Sequence, residues 1–236
     1  MSEIMAAIGK KIKTIRKKKG MTLDDLATAL YKSKATISKY ENGQITIDVE
    51  TIYELANVLD VGINQLLYYP TVMSSMEEPE LVPTFFRNTQ RLYSYLYDGR
   101  NNKVATNVLD ILYQESANRF HVMYYMNIKS IDDYQICENT YEGILSHYDA
   151  LSTITVQHVQ TQMESYTMHI LASFLDTPTK WAFCTGVSFR PFMPIATKAL
   201  FTKKPIVIDK DFADSLLISK EDLRLLKLYN MFSVVG

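Results

Sequence analysis

Apolar residues in this chain repeat with two different periods, and the two do not mix. Up to Leu67 they recur at helical spacing, as in Ile4, Ile8, Ile12 and Ile15, whereas from Leu92 onward they alternate, as in Tyr93, Tyr95 and Tyr97. A pattern with one period does not settle into an element with the other, so two separately folded parts are expected. Between them, Tyr69 to Pro83 (YPTVMSSMEEPELVP) holds three prolines, two serines and three glutamates with neither period, which reads as a linker. Aromatic composition changes at the same place. All ten Phe and the single Trp lie beyond residue 84, while the first 67 residues carry only Tyr31, Tyr40 and Tyr53. The expected division is a helical domain over 1–68, a linker over 69–83 and a β-rich domain over 84–236.

Charge divides in the same way. A net charge of -1 over 236 residues argues against a nucleic-acid partner, because binding phosphate takes clustered Lys and Arg. Residues 1–44, however, hold ten basic side chains against four acidic ones, a balance of +6 that leaves -7 for the remainder. No stretch approaches the roughly 20 apolar residues of a membrane span, and the N-terminus lacks the apolar core of a signal peptide, so the cytoplasm and no membrane partner are expected.

Within the basic part, the isoleucine stripe predicts one buried face, leaving Lys10, Lys11, Lys13 and Lys17 solvated. Gly20 stops that helix. Thr22 caps the next, with Asp24 and Asp25 in its first turn and Leu26, Ala27 and Leu30 inward. Ser33 caps a third helix over Lys34 to Glu41, ended by Asn42 and Gly43. Ile47 to Leu59 and Ile63 to Leu67 supply two more, making a five-helix bundle.

The runs Ile12-Lys13-Thr14-Ile15-Arg16, Gly20 to Ala27, Ser33 to Gly43 and Leu55 to Val61, in that order, resemble the XRE helix-turn-helix family of Cro and phage-repressor type over about residues 4–68. That resemblance implies that the third helix enters the major groove of double-stranded DNA, presenting Lys34, Ala35, Thr36, Ser38 and Lys39 to base edges. It places Arg16, Lys17, Thr22, Asn42 and Gln44 against phosphates, where they position the protein without reading sequence. Two residues depart from the family pattern. Leu23 stands where a Gln is common, removing a polar contact, and Tyr31 stands where the turn often has Gly. A Tyr at positive φ is strained, so a differently shaped turn is expected there.

Beyond the linker, strand candidates are Leu92 to Tyr97, Lys103 to Leu112, Phe120 to Ile128, Tyr134 to Tyr148, Leu151 to Gln160, Tyr166 to Phe174, Trp181 to Val187 and Ile195 to Thr202. Joined by short polar links, they suggest an antiparallel sheet that could close into a barrel. Thr106 to Glu115 and Val159 to Tyr166 also read as helical. A C-terminal helix capped by Ser219, with Leu223, Leu226 and Leu228 on its apolar side, would pack on this sheet or on a second subunit. The fold class is therefore multidomain, an all-α helix-turn-helix domain followed by a β-rich α+β domain.

This second part has no nucleophile elbow, phosphate loop, Cys-x-x-Cys pair or His-Glu helix motif, so neither enzyme chemistry nor a cofactor is expected. Cys137 and Cys184 read as isolated buried thiols. His121, His147, His158 and His169 fall on separate strands without ligand spacing, and structural roles rather than a metal site are expected. Met123, Met126, Met163, Met168 and Met193 add to the aromatics, and such residues fill cores by default. They also line adaptable pockets for small apolar or aromatic ligands. Mixed alternating faces, Tyr93 with Tyr95 and His121 with Met123 and Tyr125, suit a lumen, edged by a rigid exposed loop over Arg190-Pro191-Phe192-Met193-Pro194.

Together these features suggest a ligand-responsive repressor that binds a palindromic operator as a homodimer. The alternative is a DNA-binding regulator controlled by a partner protein or peptide through its C-terminal domain, with no small-molecule pocket. The acidic body is expected to be repelled by the duplex.

Overall fold

The computed structural model describes residues 3–67, 82–135, 137–161, 163–171, 177–189 and 192–233. The chain divides into two compact units, Met1–Val72 and Met73–Gly236. Most of the linker expected over 69–83 lies outside the described residues, as do Arg190 and Pro191.

Among its described residues the first unit has five helices: α1 (Glu3–Lys18), α2 (Leu23–Ala29), α3 (Lys34–Glu41), α4 (Val49–Val58) and α5 (Ile63–Leu67). Local chemistry sets their starts. The hydroxyls of Thr22 and Ser33 accept from the backbone N–H of Asp25 and Thr36, each at 3.1 Å, and the Asp48 carboxylate accepts from that of Thr51 at 2.8 Å. Each such cap is worth about 1 kcal/mol. Ile12, Leu26, Ile37, Leu55, Leu59 and Leu66 are fully buried where the helices meet. Each contributes roughly 1.5–3 kcal/mol of apolar burial. Helix α1 crosses α3 closely because position 9 has no side chain: a Cβ on Gly9 would lie 2.2 Å from the Tyr40 carbonyl oxygen.

Two residues on α1 reverse their expected placement. Ile4 is exposed, one turn beyond the end of the core, whereas Lys11 is buried. Its aliphatic stem covers apolar surface while its ammonium donates to the Gln65 carbonyl oxygen at 3.2 Å, tying α1 to α5.

The second unit is a closed antiparallel barrel of β1 (Arg91–Asp98), β2 (Lys103–Ser116), β3 (Arg119–Met126), β4 (Asn139–His147), β5 (Leu151–His158), β6 (Ser165–Leu171), β7 (Thr179–Phe189) and β8 (Phe192–Thr202). Each strand pairs with the next in sequence. The ring then closes over a short seam in which Tyr93 to Tyr95 of β1 meet Leu200 to Thr202 of β8. Thr106 to Glu115 is strand, not helix, and Phe192 to Pro194 belong to β8 rather than to a free loop. Two helices follow, α6 (Lys210–Ser215) and α7 (Lys220–Tyr229), the latter capped by Ser219. Among the described residues no helix is long and apolar enough to cross a membrane.

All eight strands send side chains inward, including Leu92, Leu109, Val122, Tyr141, Ile154, Met168, Ala182 and Phe201. Phe85 and Phe86 pack into the same core beside Phe120 and His147, plugging that end of the barrel. This arrangement inverts the expected lumen. Tyr93, Tyr95, His121, Met123 and Tyr125 lie on the outer face of the wall. Two coverings hide most of that face. Met123 and Tyr125 pack beneath Ile128 and Cys137. Tyr95 packs with Leu200, Phe212 and Leu216, and its hydroxyl accepts from the Ile206 N–H at 2.8 Å. His121 stacks on the exposed Tyr113, with ring centroids 4.3 Å apart. A strand buried on both faces has no polar side to mark its orientation, which is why alternation alone pointed the wrong way.

His147 at the plugged end is buried, and Nδ1 lies 2.9 Å from the Ser152 hydroxyl. Burial depresses its pKa from 6.5 to about 4. The unfolded chain therefore takes up a proton that the folded barrel refuses, and stability is full above pH 6.5 and is lost as pH falls toward 4. The expected loss at this site is about 3 kcal/mol. Urea unfolding at pH 7.5 and pH 4, followed by Trp181 fluorescence, should show this increment in the wild type and not in His147→Asn.

Candidate functional site

Helix α3 turns Ile37, Tyr40 and Glu41 inward. Helical geometry then leaves Lys34, Ala35 and Lys39 exposed, with Thr36 and Ser38 half-exposed beside them. All five expected base-reading residues thus share one accessible face. Without DNA their polar groups are engaged locally. Lys34 Nζ meets Asp24 Oδ2 at 2.7 Å, the Thr36 and Ser33 hydroxyls lie 2.8 Å apart, and the Asn42 amide donates to the Ser38 carbonyl oxygen at 2.9 Å. The Lys34 pair is solvent-exposed, so exchanging Asp24 for a base edge or a phosphate costs little.

Lys17, Thr22, Asn42 and Gln44, expected at phosphates, are exposed. Thr22 is also the cap of α2. Arg16 differs from them. It is buried, with Nε 2.5 Å from Glu41 Oε1, Nη2 2.9 Å from Oε2, and Nη1 2.7 Å from the Met21 carbonyl oxygen. Hydrogen bonding to Glu41 raises its pKa. Arg16 therefore clamps the ends of α1 and α3 and leaves the expected DNA-contact set.

The turn between α2 and α3 keeps a left-handed residue. Tyr31 has φ 51° and is 98% exposed. Contrary to expectation the turn is not reshaped, because a ring standing in solvent meets no neighbour that would add to the backbone cost, on the order of 1 kcal/mol.

Two helices joined by this turn, with the second offering an unobstructed polar face, have the geometry of a DNA reader. The HTH_3 family, described as Helix-turn-helix, matches residues 12–66. This segment is an XRE-type helix-turn-helix. No curated protein matches the chain. Solved structures with some likeness include the restriction-modification controller protein C.AhdI from Aeromonas hydrophila, 24% identical, covering 26% of this chain and 94% of that one at a TM-score of 0.26. The clp gene regulator ClgR from C. glutamicum is 25% identical, covering 28% and 87% at 0.27. Apo-HppE is 14% identical, covering 85% and 92% at 0.29. The helix-turn-helix assignment rests on the family match and on the geometry of α2 and α3.

Beyond the helix-turn-helix, the barrel holds a second candidate site, at the end opposite Phe85 and Phe86. There a cavity of ≈ 490 Å³ opens between the hairpin connections. Its wall includes the apolar side chains of Leu96, Met126, Met168, Cys184 and Ile195, with Tyr124, Tyr141 and Thr197 among them. Burial pushes the Cys184 thiol up to about 12, so it is a neutral wall group. Polar residues gather at the rim. Arg100 chelates Asp98 at 2.8 and 2.9 Å, Asn127 donates to Glu138 at 2.5 Å, and the Tyr141 hydroxyl donates to Glu164 at 3.2 Å. Behind them the buried Tyr124 hydroxyl lies 2.9 Å from that of Ser94, which also takes a hydrogen bond from Asn107 at 3.1 Å.

None of the five residues expected to line a pocket borders this cavity. The residues that do were missed with the inverted faces, although one signal was present. A glycine inside a strand marks a close approach. A Cβ on Gly186 would lie 2.3 Å from the Tyr166 ring, which identifies Tyr166 as an inward-facing aromatic. Among the described residues no group of three or more His, Cys, Asp or Glu could hold a metal ion.

Proposed function

We propose that this protein is a sequence-specific transcriptional repressor that binds a palindromic operator as a homodimer and responds to a small molecule in its barrel. On this reading residues 1–68 bind DNA, 69–83 link and 84–236 regulate. The observation that carries it is the exposed face of α3 within a helix-turn-helix. One such unit spans few base pairs, so two copies on a two-fold site supply the affinity. Ligand control requires different affinities of the ligand for DNA-competent and DNA-incompetent states.

The C-terminal helix supports the dimer. Lys198 reaches Asp222 of α7 at 2.6 Å and lies over the Trp181 ring, 4.9 Å from its centroid, fixing the helix to the barrel wall. Leu223, Leu228, Tyr229, Met231 and Phe232 all remain exposed. A second copy covering this apolar face would present it with the same surface, as two-fold symmetry requires.

A binding titration at two salt concentrations tests the DNA reading. Lys34→Ala should relax sequence preference by about 1–3 kcal/mol, whereas Lys17→Ala should weaken all sequences and lower the salt slope by about one. Absence of wild-type binding at low salt would refute it.

A further inference from the structure

We propose that the open end of the barrel binds a small amphipathic organic amine, its apolar body against Met126, Leu96 and Ile195 and its ammonium group at Glu138 and Glu164. The proposal rests on the reading that the barrel holds a ligand, and it assigns that ligand a chemical class.

Volume and wall chemistry set the outline of the occupant. A cavity of ≈ 490 Å³ lies within the roughly 300–1,000 Å³ range of small-molecule sites. Aliphatic and thioether side chains in its wall reward an apolar body, beside the hydroxyl-bearing Tyr124, Tyr141 and Thr197. The half-buried Tyr166 ring adds a flat wall, steadied over Gly186 and by a hydrogen bond from its hydroxyl to the Val187 carbonyl oxygen at 3.4 Å. None of these wall residues carries a charge.

Charge at the rim selects the head group. Three carboxylates, Asp98, Glu138 and Glu164, face one guanidinium, that of Arg100. Asp98 takes Arg100 in a two-pronged ion pair. Glu138 and Glu164 instead accept from neutral partners, the Asn127 amide and the Tyr141 phenol. Burial and the neighbouring Tyr166 and Glu164 raise the Tyr141 pKa, which keeps that phenol a neutral donor. Among the described residues that line it, the rim therefore carries three carboxylates against one guanidinium, with Glu138 acting on Arg100 from a distance and Glu164 held by a phenol. An ammonium group gains from both, while a carboxylate head group would be repelled by both.

The decisive comparison keeps one apolar body and changes its head. Calorimetric titration of the full-length protein with hexylamine, hexan-1-ol and hexanoate at pH 7.5 should show the amine binding at least tenfold more tightly than the alcohol, and hexanoate more weakly still. Glu164→Gln keeps the size of the side chain and an acceptor for Tyr141, and should weaken hexylamine about tenfold while leaving hexan-1-ol unchanged. Glu138→Gln, at an exposed position, should act in the same direction. Equal binding of amine and alcohol would overturn the cationic assignment, tightest binding of hexanoate would make Arg100 the recognition group, and no binding of any of the three would overturn the site. A DNA titration with and without hexylamine separates the two readings. If the amine binds but operator affinity stays the same, ligand control fails and the amine site stands.

Discussion

Replacing Glu41 by Ala is expected to unfold the helical domain or bring it close to unfolding. The carboxylate accepts two hydrogen bonds from a guanidinium that is itself 6% exposed, so its removal leaves Arg16 buried with one remaining partner, the Met21 carbonyl oxygen. Stranding a buried charge costs about 3–5 kcal/mol, against a total stability on the order of 5–15 kcal/mol for a domain. Arg16→Met should cost less, because it removes the buried guanidinium and keeps an apolar stem in its place. Urea denaturation followed by far-ultraviolet circular dichroism gives both values. If Arg16 instead touched phosphate, Arg16→Met would weaken DNA binding at unchanged stability and Glu41→Ala would have little effect.

The second large effect is expected at the apolar face of α7. Leu228 is 60% exposed, and Met231 and Phe232 just beyond the helix are also exposed. An aspartate at position 228 should cost the lone subunit little and place a charge in the middle of a covered face. Light scattering should then report a monomer. Losing the second half-site contact removes the gain from linked binding, about 10²- to 10⁴-fold, so operator affinity should fall by at least a hundredfold while binding to an isolated half-site stays the same. A Leu228→Asp protein that remains dimeric would move the interface elsewhere.

The helical domain was legible because its signals are local. Caps sit where Thr22 and Ser33 stand, and an apolar residue every third or fourth position suffices to orient a short helix. Two failures there share one cause. Lys11 and Arg16 are buried because of Gln65 and Glu41, partners 54 and 25 residues away, and spacing along one helix carries no information about them. In the barrel the eight strands were legible from alternation, yet their orientation was not. The residues around Ile128 to Cys137 and Ile206 to Leu216 cover the outside of β1, β3 and β8, making both faces apolar. The cavity followed that error, since inward and outward exchange completely when a strand is turned over. Tyr31 shows a milder limit, as its backbone follows the turn and not its own preference.

Because every barrel strand pairs with its neighbour in sequence, a ribosome can lay down seven of the eight seams as the chain emerges. The eighth joins Tyr93–Tyr95 to Leu200–Thr202, about a hundred residues later. At about 5–20 residues per second, β1 waits roughly 5–20 s with an unpaired edge while the helices behind it are already able to fold. That edge is open to capture by another strand, and a chaperone that shields it would act within this interval.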